Sequence, residues 1–170
     1  MIKKEFVVRR LVAGEGAALR RLRMAALENA PLAFSSSPED EAHLIDADFE
    51  ARTSLSEPDA VYGVFGGGEL VGVATFIGEK RRKTRHKGAM YGVYVDPLWR
   101  GTGAARALVQ RVIDHAAERG LAVHAHVIAD NEPALRLYLG LGFKPYGREP
   151  KALFWDGRFH DEVLLVFGAD

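Results

Sequence analysis

GAMYGVYVDPLWRGTGAARALVQRVIDHAA, residues 88–117, contains the pattern that decides the fold. An apolar, β-rich run ends at Val95, a turn follows over 96–102, and an amphipathic helix comes next. Apolar residues recur in that helix at helical spacing: Ala105, Leu108, Val109, Val112, Ile113 and Ala116. Gly120 stands where a helix usually ends. Such a strand, turn and helix predict an anion site, because the first helix amides lack partners and the helix dipole is positive there.

The glycines of this turn do not fit two common phosphate-binding motifs. After Gly101 and Gly103, the third glycine of the dinucleotide fingerprint is replaced by Arg106, at the point where strand and helix must pack closely. No Gly-Lys-Ser/Thr follows, which excludes the phosphate loop of nucleotide triphosphatases. The pattern that remains is Arg-x-x-Gly-x-Gly/Ala, and its structural alternative is a tight strand–helix connection.

Two segments carry a resemblance to one enzyme family. Arg100-Gly101-Thr102-Gly103-Ala104-Ala105 resembles the acetyl-CoA signature of the GNAT superfamily of N-acetyltransferases, and Val93-Tyr94-Val95-Asp96-Pro97 before it resembles the fourth strand of that family. Downstream, Asn131-Glu132-Pro133-Ala134-Leu135-Arg136-Leu137-Tyr138 and then Gly142-Phe143 resemble the family's second motif. Two motifs in the right order are hard to obtain by chance, so the chain is identified as a member of the superfamily.

Composition limits the class of protein. A chain of 170 residues fits one domain, here 1–170, and 48% hydrophobic with 27% charged residues is typical of a globular protein. Lys+Arg and Asp+Glu are both 23, so no net field attracts nucleic acid or a membrane. The absence of cysteine excludes disulfides, a thiolate nucleophile and thiolate metal sites. The N-terminal MIKKEFVVRR has no signal-peptide core, and a cytoplasmic location is expected.

Periodicity and turn residues predict the remaining elements. Strands are expected over 5–11, 60–65, 70–77, 121–128, 143–148 and 159–167, and helices over 14–30, 37–55 and 131–141. The arginines at 20, 21 and 23 are interpreted as a solvated helix face, and the basic run Lys80–Lys87 as a solvated hairpin tip. The resemblance implies a mixed α/β fold: a mostly antiparallel sheet of about seven strands with helices on both faces, splayed around strands four and five.

The resemblance also implies roles for single residues. Backbone amides of the turn hold the pyrophosphate of acetyl-CoA; the residues are Arg100, Gly101, Thr102, Gly103, Ala104 and Ala105. Amides of the fourth strand, which usually bulges, serve the thioester oxygen and the pantetheine arm; the residues are Val93, Tyr94 and Val95. Asn131 and Ala134 contact the cofactor, and Tyr138 protonates the leaving sulfur. The structural alternatives are a surface arginine at 100, a helix cap at 131 and a packed tyrosine at 138.

The general base and the acceptor are less defined. The candidates for the base are Glu79, His86, Tyr91, His124, His126 and a water. His124 and His126 share one strand face, and histidine titrates usefully near neutral pH, although a structural histidine is the more frequent case. By resemblance, the acceptor pocket lies around Leu32–Pro38, where Phe34 and three serines indicate a small, partly polar site. No metal is expected, since the histidines lack an H-x-x-x-H helix spacing.

The resulting hypothesis is an N-acetyltransferase that uses acetyl-CoA on a primary amine of a small molecule or peptide. Direct transfer in a ternary complex is expected, because neither a cysteine nor a Ser-His-acid constellation is evident. One alternative is a non-catalytic acyl-CoA-binding or sensing module. Another is a binder of nucleic acid or an acidic partner through Lys80–Lys87. No nucleic-acid or membrane partner is expected in the main hypothesis, and a homodimer is compatible with it.

Overall fold

The computed structural model describes residues 4–169, so residues 1–3 and 170 of the predicted domain lie outside the described part. The strands are β1 (Phe6–Arg10), β2 (Ala60–Gly66), β3 (Glu69–Gly78), β4 (Lys87–Val95), β5 (Ala122–Ile128), β6 (Lys144–Trp155) and β7 (Arg158–Phe167). The helices are α1 (Gly16–Asn29), α2 (Pro38–Glu41), α3 (Asp46–Arg52), α4 (Ala104–Ala117) and α5 (Glu132–Gly140). Single 3₁₀ turns span Pro31–Ala33 and Pro97–Trp99.

The strands form one seven-stranded sheet in the order β1-β2-β3-β4-β5-β7-β6. All neighbours are antiparallel except β4 and β5, which are parallel. Alternate residues of β2 enter different cores: Tyr62 packs in the cluster that contains α4, and Val61 in the cluster that contains α1 and α3. Since successive side chains of a strand point to opposite faces, helices cover both faces of the sheet. The predicted fold class is confirmed.

The sheet opens between β4 and β5. Only three residue pairs join these strands, and the last is Ala89 with His124. Beyond it, β5 continues its pairing with β7 as far as Ile128, while β4 runs on to Val95 beside β3. The expected splay around strands four and five is therefore present.

One predicted helix is wrong. The sequence pattern predicts a single helix over 37–55, but the structure has the short helices α2 and α3 with a turn between them. The predicted start is present, since Ser37 and Asp40 form a capping box at the start of α2. A second local cap explains the break. The carboxylate of Asp48 accepts a 2.8 Å hydrogen bond from the Ile45 amide and starts a second helix.

The sixth strand is longer than predicted. The pattern ends it at residue 148 before Pro150, whereas β6 continues to Trp155. A proline is tolerated here because β6 is an edge strand, where one side of the backbone needs no ladder bonds. The register shifts between Glu149 and Leu153, and Asp161 of β7 holds this irregular part by accepting a 2.9 Å hydrogen bond from the Lys151 amide.

Two charged segments were interpreted as solvated. The loop over Lys80–Lys87 is indeed mostly exposed, and Lys80 pairs with Asp59 at 2.6 Å. The arginine run is solvated at Arg21, but the interpretation is wrong for Arg23, whose side chain is only 18% exposed. Among the described residues, no helix has the length and apolar character needed to cross a membrane.

Candidate active site

A cleft of about 660 Å³ occupies the opening between β4 and β5. Its walls include β4 residues 89–93 and β5 residues 124–128, together with residues of both helical layers. From one face come Asn131, Ala134 and Tyr138 of the α5 region, and from the other Arg23, Phe34 and Phe49. The cleft therefore passes through the sheet and connects the α5 side with the α1 side.

A β-bulge lies in β4 at the cleft. Between the pairs Thr75 with Tyr91 and Val73 with Tyr94, β4 advances three residues while β3 advances two. Gly92 sits in this bulge with φ of +60°, a conformation that favours glycine. The extra residue disrupts the ladder locally and leaves backbone groups unpaired. The bulge that the resemblance implies is thus present, on a strand that faces the cleft.

The amide of Val95 also points toward the opening. The Asp96 amide donates to Val71 of β3 at 2.8 Å. Successive amides of an extended strand point to opposite edges, so the Val95 N–H faces away from β3, where β5 is no longer paired. The side chains of Tyr94 and Val95 are buried in the two cores, so only their backbone can serve a ligand.

The turn over 100–105 lies at the start of α4, beyond the residues that line the cleft. Gly101 and Gly103 have φ of +73° and +90°, and a Cβ at either position would meet no atom of the chain within 4 Å. Gly103 is the N-cap without a side-chain cap. The hydroxyl of Thr102 donates to the Trp99 carbonyl at 2.6 Å and accepts from the Ala104 amide at 3.3 Å. The next amides of the helix, starting at Ala105, remain available to an anion in open space.

Arg100 and Asn131 have structural contacts of their own. The guanidinium of Arg100 is exposed, and its Nε donates to the Val95 carbonyl at 3.4 Å. Asn131 is the N-cap of α5, with Oδ1 accepting from the Ala134 amide at 3.2 Å. The capping alternative for Asn131 is therefore confirmed, while its contact with a cofactor stays a prediction.

Tyr138 is both a core residue and part of the cleft wall. It is 6% exposed and packs edge-to-face on Phe143, with ring centroids 5.3 Å apart. Burial raises the pKa of the Tyr138 phenol, so it keeps its proton at neutral pH. This is the protonation state that a general acid needs.

The structure separates the candidates for the base. Glu79 and His86 lie at the ends of the β3–β4 loop and do not line the cleft, whereas Tyr91, His124 and His126 do. Nδ1 of His124 lies 3.2 Å from the hydroxyl of Tyr146. Burial, followed by the charge of Lys87, lowers the pKa of His124.

The α1 side of the cleft includes Leu32 to Ser35, where the acceptor pocket is predicted, and two charged residues that the sequence reasoning missed, Arg23 and Arg52. Arg23 donates through Nε to Glu41 at 3.0 Å and stacks on Phe34, 4.4 Å from the ring centroid. Its Nη1 lies 3.5 Å from where a Cβ of Gly92 would be, which places this guanidinium directly over the bulge. No sequence signal distinguishes Arg23 from its exposed neighbours.

The other two missed residues, Glu149 and Glu162, lie on β6 and β7. They face each other across the strands and line the cleft beside His126. One nitrogen of His126 and one carboxylate oxygen from each glutamate lie within 4.8 Å of one another. The sequence did not place Glu149 beside Glu162 because the predicted sixth strand ended at residue 148, one residue before it.

Comparison with known proteins agrees with this geometry. The sequence profile described as "Acetyltransferase (GNAT) family" matches residues 20–143. A mycothiol acetyltransferase of Actinosynnema mirum is 33% identical over 159 residues, which cover 84% of this chain and 52% of the relative. N-alpha-acetyltransferase RimI of Mycobacterium tuberculosis is 36% identical over 94 residues, 55% of this chain and 58% of the relative. The matches thus span less than two thirds of these relatives' own lengths.

Solved structures share the fold. A GNAT-family acetyltransferase from Streptococcus pneumoniae superposes with a TM-score of 0.84 at 21% identity, covering 96% of this chain and 99% of the other. The yncA protein of Salmonella typhimurium, a putative acetyltransferase solved with acetyl-CoA, superposes with a TM-score of 0.78 at 24% identity, covering 97% of this chain and 94% of the other. With the family profile covering most of the chain, from the first helix to the end of the second motif, the protein belongs to the GNAT family of acetyltransferases.

Proposed function

We propose that this protein transfers the acetyl group of acetyl-CoA directly to a primary amine of a small molecule or peptide, within a ternary complex. The observation that carries the proposal is the cleft through the sheet. Residues of α5, on the proposed acetyl-CoA (donor) side, and residues near α1, on the proposed amine (acceptor) side, reach the cleft from opposite faces of the sheet. Two substrates can therefore meet at the bulge of β4 without a covalent enzyme intermediate.

The residues present fit acetyl-CoA. The open amides at the start of α4 and the outward glycines at 101 and 103 suit a pyrophosphate, which needs donors and a close approach to backbone. The bulge lies at the cleft, and the Val95 amide faces the same edge of β4 a few residues further on; donors along this edge suit an acyl oxygen that gains negative charge during transfer. Acetyl-CoA supplies the activated acetyl group, as a thioester.

Tyr138 is the proposed acid. It lines the cleft on the donor side, where its phenol is protonated at neutral pH and lies within the wall that a departing thiolate would face. Asn131 and Ala134 lie on the same side, at the first turn of α5. The cap that Asn131 provides fixes the start of that helix and so helps to hold Tyr138 at the cleft.

The test is a panel of amines scored by release of the CoA thiol. The panel contains an alkylamine, a polyamine, L-amino acids and a peptide with a free N-terminus. The peptide and L-amino acid classes follow the names of the relatives RimI and, at 30% identity over 101 residues, the L-amino acid N-acetyltransferase AaaT of Escherichia coli. Initial rates measured against both substrates should give intersecting double-reciprocal lines.

Three results would contradict the proposal. Parallel lines, or an acetylated enzyme trapped without acceptor, would show a covalent intermediate. Tight acetyl-CoA binding with no turnover of any amine would favour an acyl-CoA-binding module. Retention of labelled nucleic acid but not acetyl-CoA on an ultrafiltration membrane, at moderate salt, would favour binding through Lys80–Lys87.

A further inference from the structure

His126 belongs to a charged cluster on the acceptor side of the cleft, built by three neighbouring strands. On β5, His126 pairs with Leu164 of β7, and Glu162 is two residues away on the same face. Glu149 of β6 is directly opposite Glu162. The long β6 is what places a second carboxylate here.

The two carboxylates form an unfavourable pair unless a cation joins them. Like charges directly opposite on neighbouring strands destabilise a sheet. Within residues 4–169, the carboxylate of Glu149 has no hydrogen bond or ion pair, while that of Glu162 has His126 at 3.3 Å. A positively charged acceptor would relieve this repulsion. The cluster therefore favours an ammonium ligand.

The contact with Glu162 also orients the imidazole. Nδ1 of His126 lies 3.3 Å from Oε2 of Glu162, and the negative charge beside Nδ1 favours the neutral tautomer with its proton on that nitrogen. Nε2 is then left as an acceptor for a proton. A carboxylate beside one ring nitrogen, with the other nitrogen free, is the arrangement of a general base with a positioning partner.

The remaining residues in the cleft are less suited to this role. His124 is engaged with Tyr146, and burial lowers its pKa, which makes it a weaker proton acceptor. Tyr91 is a phenol, whose neutral form is a poor base at neutral pH. The cations on the opposite wall, Arg23 and Arg52, remain protonated and cannot accept a proton.

We propose that His126 is the base that takes the proton from the acceptor amine, that Glu162 is its positioning residue, and that Glu149 attracts the cationic form of the acceptor. The assignment rests on the acetyl transfer proposed above. The amine nitrogen forms a bond to the acetyl carbon as the carbon–sulfur bond breaks. Nε2 of His126 takes one proton from the ammonium and releases it to solvent, which leaves a neutral amine to attack. After the bond forms, Nε2 takes a second proton from the nitrogen in the same way. The leaving sulfur takes its proton from Tyr138, which regains a proton from solvent, so one proton is released overall. The His126 side chain is 48% exposed, so it can return its proton to solvent.

The first experiment compares His126→Gln with His124→Gln at saturating acetyl-CoA. His126→Gln should lower kcat/KM for the acceptor by about 100-fold or more and remove the acidic limb of its pH profile, with acetyl-CoA affinity unchanged. His124→Gln should lower kcat/KM for the acceptor by a much smaller factor. An equal or larger loss in His124→Gln, or an acidic limb that survives in His126→Gln, would overturn the assignment.

The carboxylates are tested separately. Glu162→Gln should lower kcat by a smaller factor than His126→Gln does, because the imidazole stays in place but loses the carboxylate beside Nδ1. Glu149→Gln should raise KM for a cationic acceptor with little change in kcat. Activity that is abolished by a chelator and restored by a divalent metal would instead make the three residues a metal site.

A measurement that needs no activity completes the test. The ¹⁵N chemical shifts of the His126 ring in the free protein should show the Nδ1-protonated tautomer, and Glu162→Gln should weaken that preference. An Nε2-protonated ring would refute the assignment. Failure of the parent to acetylate any amine, with this tautomer present, would count against the proposed function rather than the geometry of the pair.

Discussion

Replacing Tyr138 by phenylalanine isolates the proposed acid from the packing of its ring. The change removes one hydroxyl and keeps the edge-to-face contact with Phe143 at 5.3 Å. A positioned acid contributes roughly 10² to 10⁴-fold to a rate. A water can replace part of this, so we expect kcat to fall roughly 10- to 1000-fold, or about 1.4 to 4 kcal/mol of activation free energy. Acetyl-CoA affinity should change little.

The free energy of unfolding distinguishes this role from a structural one. Because the ring keeps its place in the core, the loss of stability should stay below about 1 kcal/mol. Melting temperature, acetyl-CoA affinity by calorimetry and turnover are measured on the same preparation. Tyr146→Phe is the matched control: it is the same chemical change at an exposed tyrosine of β6, and turnover should be nearly retained.

Normal turnover in Tyr138→Phe would refute the reasoning. A water molecule would then have to protonate the sulfur, and Tyr138 would be a core residue only. A large drop in melting temperature together with normal turnover would support that structural role directly.

Three further predictions concern other parts of the chain. Gly103→Val should weaken acetyl-CoA binding measured by calorimetry, because a side chain there blocks an approaching pyrophosphate and the φ of +90° disfavours any residue but glycine. The strain should cost stability by about 1 to 2 kcal/mol without unfolding the protein, and undiminished affinity would contradict the prediction. Asn131→Ala should lower stability by about 1 kcal/mol in denaturant titration through loss of the α5 cap. Burial lowers the pKa of His115, so the unfolded state binds this proton more readily and stability should fall as pH drops below about 6.5. His115→Phe should flatten that dependence in thermal melts across pH, and an unchanged slope would refute the explanation.

Local patterns were sufficient for the elements that carry the family motifs. The β4–turn–α4 segment follows from apolar periodicity and two glycines, and Asn131 with Pro133 indicates the start of α5. These signals act between residues close in the chain. The sequence alone therefore predicted the order of strands and helices, the turn at 100–105 and the place of Tyr138 in the second motif.

The sequence reasoning failed at two places. The helix expected over 37–55 is divided by a local cap at Asp48 that was overlooked, and Glu41 turns inward to meet Arg23 of the distant helix α1. Strand β6 continues past Pro150 because it forms the edge of the sheet, a position that strand pairing alone determines.

The sequence by itself determined the family, the mixed sheet and the residues of its two motifs. Only the tertiary structure decided which side chains share the cleft, since the register of β5, β7 and β6 places His126, Glu162 and Glu149 together. The physical reason is the separation along the chain over which each kind of interaction acts. Turn chemistry and periodicity act over a few residues, whereas register depends on burial and pairing between strands far apart in the chain.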